Sequence, residues 1–190
     1  MRWNVTRFAL VIFAALAATA PAAAQEWREY AYPNYSFAVS FPVEPTVEMT
    51  SYQAADGRMV DAQIYSAKQE NSEYRMTVAD LSALDMEENT VIDHAIKTLS
   101  DGKQVKLDIP HRISRVYGRQ LSIAGADGRH SSIAVFYFKK RLYQIEGVAL
   151  PKGDDATANA IRFQQSLIFT DDVSNRTPAG RLFEVLGRLF

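Results

Sequence analysis

Asp-Gly occurs three times in this chain, at Asp56-Gly57, Asp101-Gly102 and Asp127-Gly128, and the first and third lie between runs of alternating apolar and polar residues. That arrangement is a strong short-range hairpin signal, because both residues tolerate the positive φ that matches strand twist. Strands joined by short turns must pair antiparallel. The chain is therefore read as an antiparallel sheet before any other property is considered.

The runs bear this out along the sequence. Trp27 to Tyr32 reads as a short strand, Pro33-Asn34-Tyr35 as a turn, and Phe37, Val39 and Phe41 as the buried face of a second strand that Pro42 and Pro45 end. Thr46 to Gln53 and Arg58 to Ala67 bracket the first Asp-Gly turn, and Glu73 to Leu81 follows with Tyr74, Met76 and Val78 on one side. The period then changes. Val91, Ile92, Ala95, Ile96 and Leu99 recur at helical spacing behind Asp85, Glu87 and Glu88, whose charge suits a helix N-terminus. Asp101-Gly102 ends that helix. Strands resume at Val105 to Ile109, Arg119 to Ala124, Ser132 to Phe138 and Arg141 to Ala149, with Lys139-Lys140 as the last turn. Ser132 to Phe138 is apolar on both faces, which predicts a central strand covered on both sides. Pro151 to Asp155 opens a second helix, whose stripe is Ala156, Ala160, Phe163 and Leu167. The expectation is one α+β domain over residues 25–170: an antiparallel sheet of six or seven strands with helices packed on its faces.

The two ends of the chain differ from this core. Met1 to Arg7 carries two positive charges and no acid, Phe8 to Ala20 carries no charge, and Pro21 precedes Ala22-Ala23-Ala24. These are the three parts of a secretory signal, so residues 1–24 are read as a leader cleaved after Ala24. The apolar run falls short of the roughly 20 residues that cross a membrane, which leaves an uncleaved anchor as the second reading. The expected location is the periplasm or the exterior. At the other end a polar linker, residues 171–176, leads to Thr177-Pro178, an N-cap and a first-turn proline. Leu182, Phe183, Val185, Leu186, Leu189 and Phe190 then share one face of a helix over residues 177–190, and Arg181, Glu184 and Arg188 share the other. A helix this short is marginal alone in water. Its apolar face needs a cover, which its own domain, an envelope protein or second copy, or a membrane surface could give, and Leu182, Phe183, Leu186, Leu189 and Phe190 are the candidate contact residues if that cover is a partner. Two arginines offset by a glutamate predict only weak attraction to a membrane surface.

Loss of Arg2 and Arg7 from 21 basic side chains leaves 19 against 22 acidic ones, so nucleic acid is not an expected partner. Cysteine is absent, and a domain of this length stands on its hydrophobic core. His94, on the polar side of the first helix, is expected to face solvent. His111 follows Pro110 at a break between strands, and His130 sits beside a turn. No two have zinc-helix spacing, and no glycine-rich nucleotide loop or serine elbow occurs, so no catalytic residue, metal or cofactor is assigned. Ser100-Asp101-Gly102-Lys103 matches S-x-x-K but spans a helix end, and helix-stop chemistry explains it. Acids gather over residues 80–93 and bases over residues 103–119, read first as two solvated edges and second as a surface that steers a partner. The many tyrosines suit strands in general.

Phe37 to Pro42 as Phe-x-x-x-Phe-Pro, Leu142 to Gly147 as Leu-Tyr-x-Ile-x-Gly, and the closing Phe163-Gln164-Gln165-Ser166-Leu167 give a further lead. With the element order they resemble the PsbP-like fold of photosystem II extrinsic proteins, shared with a Ran-binding import factor and small bacterial envelope proteins. The resemblance covers about residues 27–170. It implies a seven-stranded antiparallel sheet between helices and a binding or assembly role without chemistry, and it carries over no site residue. The expected function is a non-enzymatic periplasmic binding or assembly module. The alternative is a periplasmic hydrolase whose serine, histidine and aspartate meet only in three dimensions.

Overall fold

A computed structural model of the chain describes residues 26–151 and 155–170. The leader over residues 1–24, the linker over 171–176 and the tail over 177–190, with its five candidate contact residues, lie outside the described residues.

Ten strands and two helices follow in order: β1 (Arg28–Tyr32), β2 (Phe37–Phe41), β3 (Thr46–Gln53), β4 (Met59–Gln69), β5 (Ser72–Asp80), α1 (Glu88–Ser100), β6 (Gln104–Ile113), β7 (Val116–Ala124), β8 (His130–Phe138), β9 (Arg141–Ala149), α2 (Ala156–Gln164) and β10 (Ile168–Phe169). Seven strands form one antiparallel sheet in the order β3-β4-β5-β9-β8-β7-β6, and β1, β2 and β10 form a second, small sheet. The turns use the residues that the sequence supplies for them. Gly57 and Gly128 hold φ of 85° and 80°, and Lys139 and Lys140 hold 50° and 57° in the two-residue link from β8 to β9.

The large sheet has two differently built faces. Tyr65, Tyr74, Met76, Phe136, Tyr143 and Ile145 form an aromatic face, covered by Phe37, Val39 and Phe41 of the small sheet and by Phe163 of α2. Gly147 lets α2 settle there, since a Cβ at that position would stand 2.3 Å from the Ala160 carbonyl oxygen. The opposite face is aliphatic: Ala62, Ala79, Leu121, Ile123, Ile133, Val135 and Leu142 meet Val91, Ile92 and Ala95 of α1. That helix rests on β7 and β8. β8, buried at Ile133, Ala134, Val135 and Phe136, is the doubly covered strand that its composition predicts.

Two expectations need correction. The strand Phe37–Phe41 does not join the main sheet: it pairs with β1 and, across the chain, with Ile168 and Phe169, and it lies over the aromatic face. The break expected at Pro110 does not occur either. β6 runs through it to Ile113, with Pro110 opposite Arg119 and His111 opposite Gly118. As an edge strand, β6 has one side free of ladder bonds, where a residue without an N–H is tolerated.

Candidate functional site

A cavity of about 450 Å³ opens on the aromatic face where β3, β4 and β5 run past their covering layer. Tyr35, Met49, Met59, Asp61, Val78 and Asp80 line it. Its outer wall is apolar and unshielded: Met49 and Met59 are 67% and 60% exposed, and Val47 next to them is 53% exposed. On the same face Met76 is fully buried, and Val78 at the cavity's inner wall is 1% exposed.

The inner wall is fixed by hydrogen bonds. Tyr143 donates its hydroxyl to the Tyr35 carbonyl at 2.8 Å, and the Arg141 guanidinium lies 5.3 Å from the Tyr35 ring centre. The Tyr65 hydroxyl donates to Gln63 Oε1 at 2.6 Å, and Gln63 Nε2 approaches Met49 Sδ at 3.0 Å. Burial pushes the Asp80 carboxyl up, but the Ser82 hydroxyl and amide and the Arg141 cation outweigh it and leave the group below its ordinary value. Asp61 is opposite Ser51 in the ladder and makes no ion pair among the described residues. The cavity therefore offers soft apolar contact and two carboxylates, one of them engaged by Arg141.

On the other face, beyond the end of α1, lies a charged floor. Arg75 lines three adjoining depressions there with Glu73, Glu146 and Arg129. Its charges answer one another: Glu73 meets Lys68 at 2.9 Å and Arg129 at 3.6 Å, and the nearly buried Glu146 faces Arg75 at 3.8 Å.

The residues weighed for chemistry are scattered. His94 does not face open solvent: it is half-buried, its Nε2 is 3.0 Å from the Gln53 carbonyl, and its ring meets Tyr52 edge-on. The helix stripe alone puts it on the polar side, but the end of β3 lies against that side. His111 packs 5.7 Å from the Phe136 ring, and burial lowers its pKa. His130 is exposed at the start of β8. Ser100 donates to the Ile96 carbonyl at 2.7 Å and Lys103 Nζ to the Leu99 carbonyl at 3.0 Å, so this pair closes the helix C-terminus. Arg119 binds Asp108 within the basic run at 2.6 Å, and only its 4.0 Å approach to Asp93 links the two runs. Tyr65, Tyr74 and Tyr143 are core residues. The cavity went unforeseen because its lining comes from four separate segments. The one local signal was Val47 and Met49 alternating on an otherwise polar strand.

No family description and no curated protein matches the chain. Among solved structures it is similar to cyanobacterial PsbP (CyanoP) from Synechocystis sp. PCC 6803, at 11% identity and a TM-score of 0.53, over 81% of this chain and 98% of that one. A Pseudomonas aeruginosa protein of unknown function, described as a putative regulator, is similar at 10% identity and a TM-score of 0.36, over 72% of this chain and 94% of that one. The first likeness shows the fold: a PsbP-like α+β domain.

Proposed function

We propose that this PsbP-like chain is an exported binding or assembly module without catalytic activity, acting in the periplasm or outside the cell. The observation that carries the reading is the cavity at the β3–β5 end, with Val47, Met49 and Met59 held in water beside it. Exposed apolar side chains grouped at a concavity mark contact sites, and methionine adapts its shape to a partner. Export is supported by the basic start, the apolar run and the Ala22-Ala23-Ala24 ending of the leader.

The test joins location to surface. Protein recovered from the native host is expected to begin at Gln25 or within a residue or two of it, by intact mass. A Met49→Glu, Met59→Glu double variant is expected to lose its co-purifying envelope partner while keeping its melting temperature. A full-length mass in the cytoplasm sinks the location. Undiminished partner recovery with the double variant sinks the site.

A further inference from the structure

We propose that β3 accepts an added strand: an extended, basic segment of another polypeptide that pairs with the edge that no described strand covers, beside the cavity. The inference rests on the binding-module reading and names how and what the module binds.

The ladder phase shows which groups are free. The Ala54 amide donates to the Arg58 carbonyl, and β3 pairs with β4 in unbroken register from Thr46↔Ser66 to Gln53↔Met59. Bonded and non-bonded positions alternate along an antiparallel pair, so Thr46, Glu48, Thr50 and Tyr52 turn their backbone groups toward β4. Val47, Met49 and Ser51 turn theirs outward with no partner among the described residues, and so does Gln53, whose amide is open but whose carbonyl already meets His94 Nε2 at 3.0 Å. The side chains of the same four residues stand on the cavity face, with Met59 and Asp61 beside them across the ladder.

The other edge of the same sheet shows what protection looks like. β6 carries Pro110, a register irregularity between Val105 and Leu107, and the cations Lys106 and Arg112, all of which hinder edge pairing. β3 has eight residues, no proline, no lysine or arginine, no irregularity and one charge, Glu48. Its outward side chains are the exposed Val47 and Met49. An edge of that kind is a template for strand addition.

Charge decides the occupant. Glu48 and Asp61 make no ion pair among the described residues, and Asp80 shares the cavity wall with Asp61. Glu48 is on the charged-floor face, where a directly opposite residue of an added strand would answer it. On the cavity face Ser51 is the ladder neighbour of Asp61, and its small side chain lets a long cation pass over it. A segment with one cation at each place satisfies both. A second copy does not: its β3 brings another Glu48 and no cation.

The probe is a capped decapeptide alternating valine and threonine with two lysines, compared with the same peptide bearing glutamates, added to the full chain and followed by backbone NMR. Slowed amide exchange is expected at Val47, Met49, Ser51 and Gln53, and the lysine peptide should bind on the order of 10-fold tighter, as two modest ion pairs allow. Met49→Pro removes an outward amide without touching the β4 ladder and should abolish the protection. Met49→Lys keeps that amide, guards against a folding defect in the proline variant, and should weaken the lysine peptide. Protection at β6 or the charged floor, equal binding of both peptides, or no protection of β3 at millimolar peptide overturns the proposal. A native partner retained by both variants also overturns it while leaving the binding-module reading intact. A chain that holds no partner, with or without the substitutions, overturns that reading instead.

Discussion

The two faces of the large sheet carry cores of opposite character. One is built from rings: Phe41 and Tyr74 each lie about 5 Å from Phe163, and Phe169 meets Phe136, Phe138 and Tyr143. Rings packed edge to face are specific in geometry, and their cover is a second sheet and α2 closed against each other. The other face is built from alanine and branched aliphatics under one helix, which rests mainly on β7 and β8 and touches the end of β3 through His94. The comparison teaches where the surface of interest lies. On the aromatic side the cavity begins where the ring packing stops, at Tyr35 and Val78. On the aliphatic side, beyond the end of α1, paired charges lie on the surface of the sheet: Glu73 with Lys68 and Glu146 with Arg75.

The sharpest way to break the comparison is to remove a ring. Phe163→Ala should cost about 3–5 kcal/mol, because Phe163 is fully buried between two layers that cannot both close on the gap. On the aliphatic face Ile92→Ala should cost less, about 2–3 kcal/mol, since Ile92 is 5% exposed under a single helix free to settle. Urea unfolding of the two variants decides the order, and a larger loss at Ile92 would reverse the account of which face anchors the domain.

His111 gives a finer probe of the aromatic side, at the β6 edge opposite the cavity. Burial lowers its folded-state pKa, so the unfolded chain takes up the proton more readily. Its contribution is complete above the unfolded value of about 6.5 and is lost as pH falls through the depressed folded value. His111→Gln should flatten the pH dependence of stability below about pH 6.5, and an unchanged slope would show that the Phe136 contact does not desolvate the imidazole. The smallest effect is expected at the C-terminus. A chain ending at Ser174 keeps Leu167 and Phe169, which are buried in the ring cluster, so its melting temperature should stay within a few degrees of the full chain. Sizing the two proteins side by side then reports whether Leu182, Phe183, Leu186, Leu189 and Phe190 serve association, as their spacing predicts. A collapse of the melting temperature would place the tail in the core.

Much of this protein was written locally. The Asp-Gly turns, the period-two runs and the stripes from Val91 to Leu99 and from Ala156 to Phe163 depend on neighbours within a few residues, and they determined nine of the ten described strands, both helices and the antiparallel pairing by themselves, while β10 at Ile168–Phe169 was not legible. What the tertiary structure decided lies between distant segments. Phe37 to Phe41 reads as one more strand of one sheet, and only its pairing with Phe169 sends it to a second layer. Pro110 reads as a strand break until the sheet order makes β6 an edge. His94 reads as solvated until the Gln53 carbonyl meets it. Exposure at Val47 and Met49 follows from the same cause: alternation tells which side chains share a face of a strand, but only the arrangement of remote elements determines whether that face is covered.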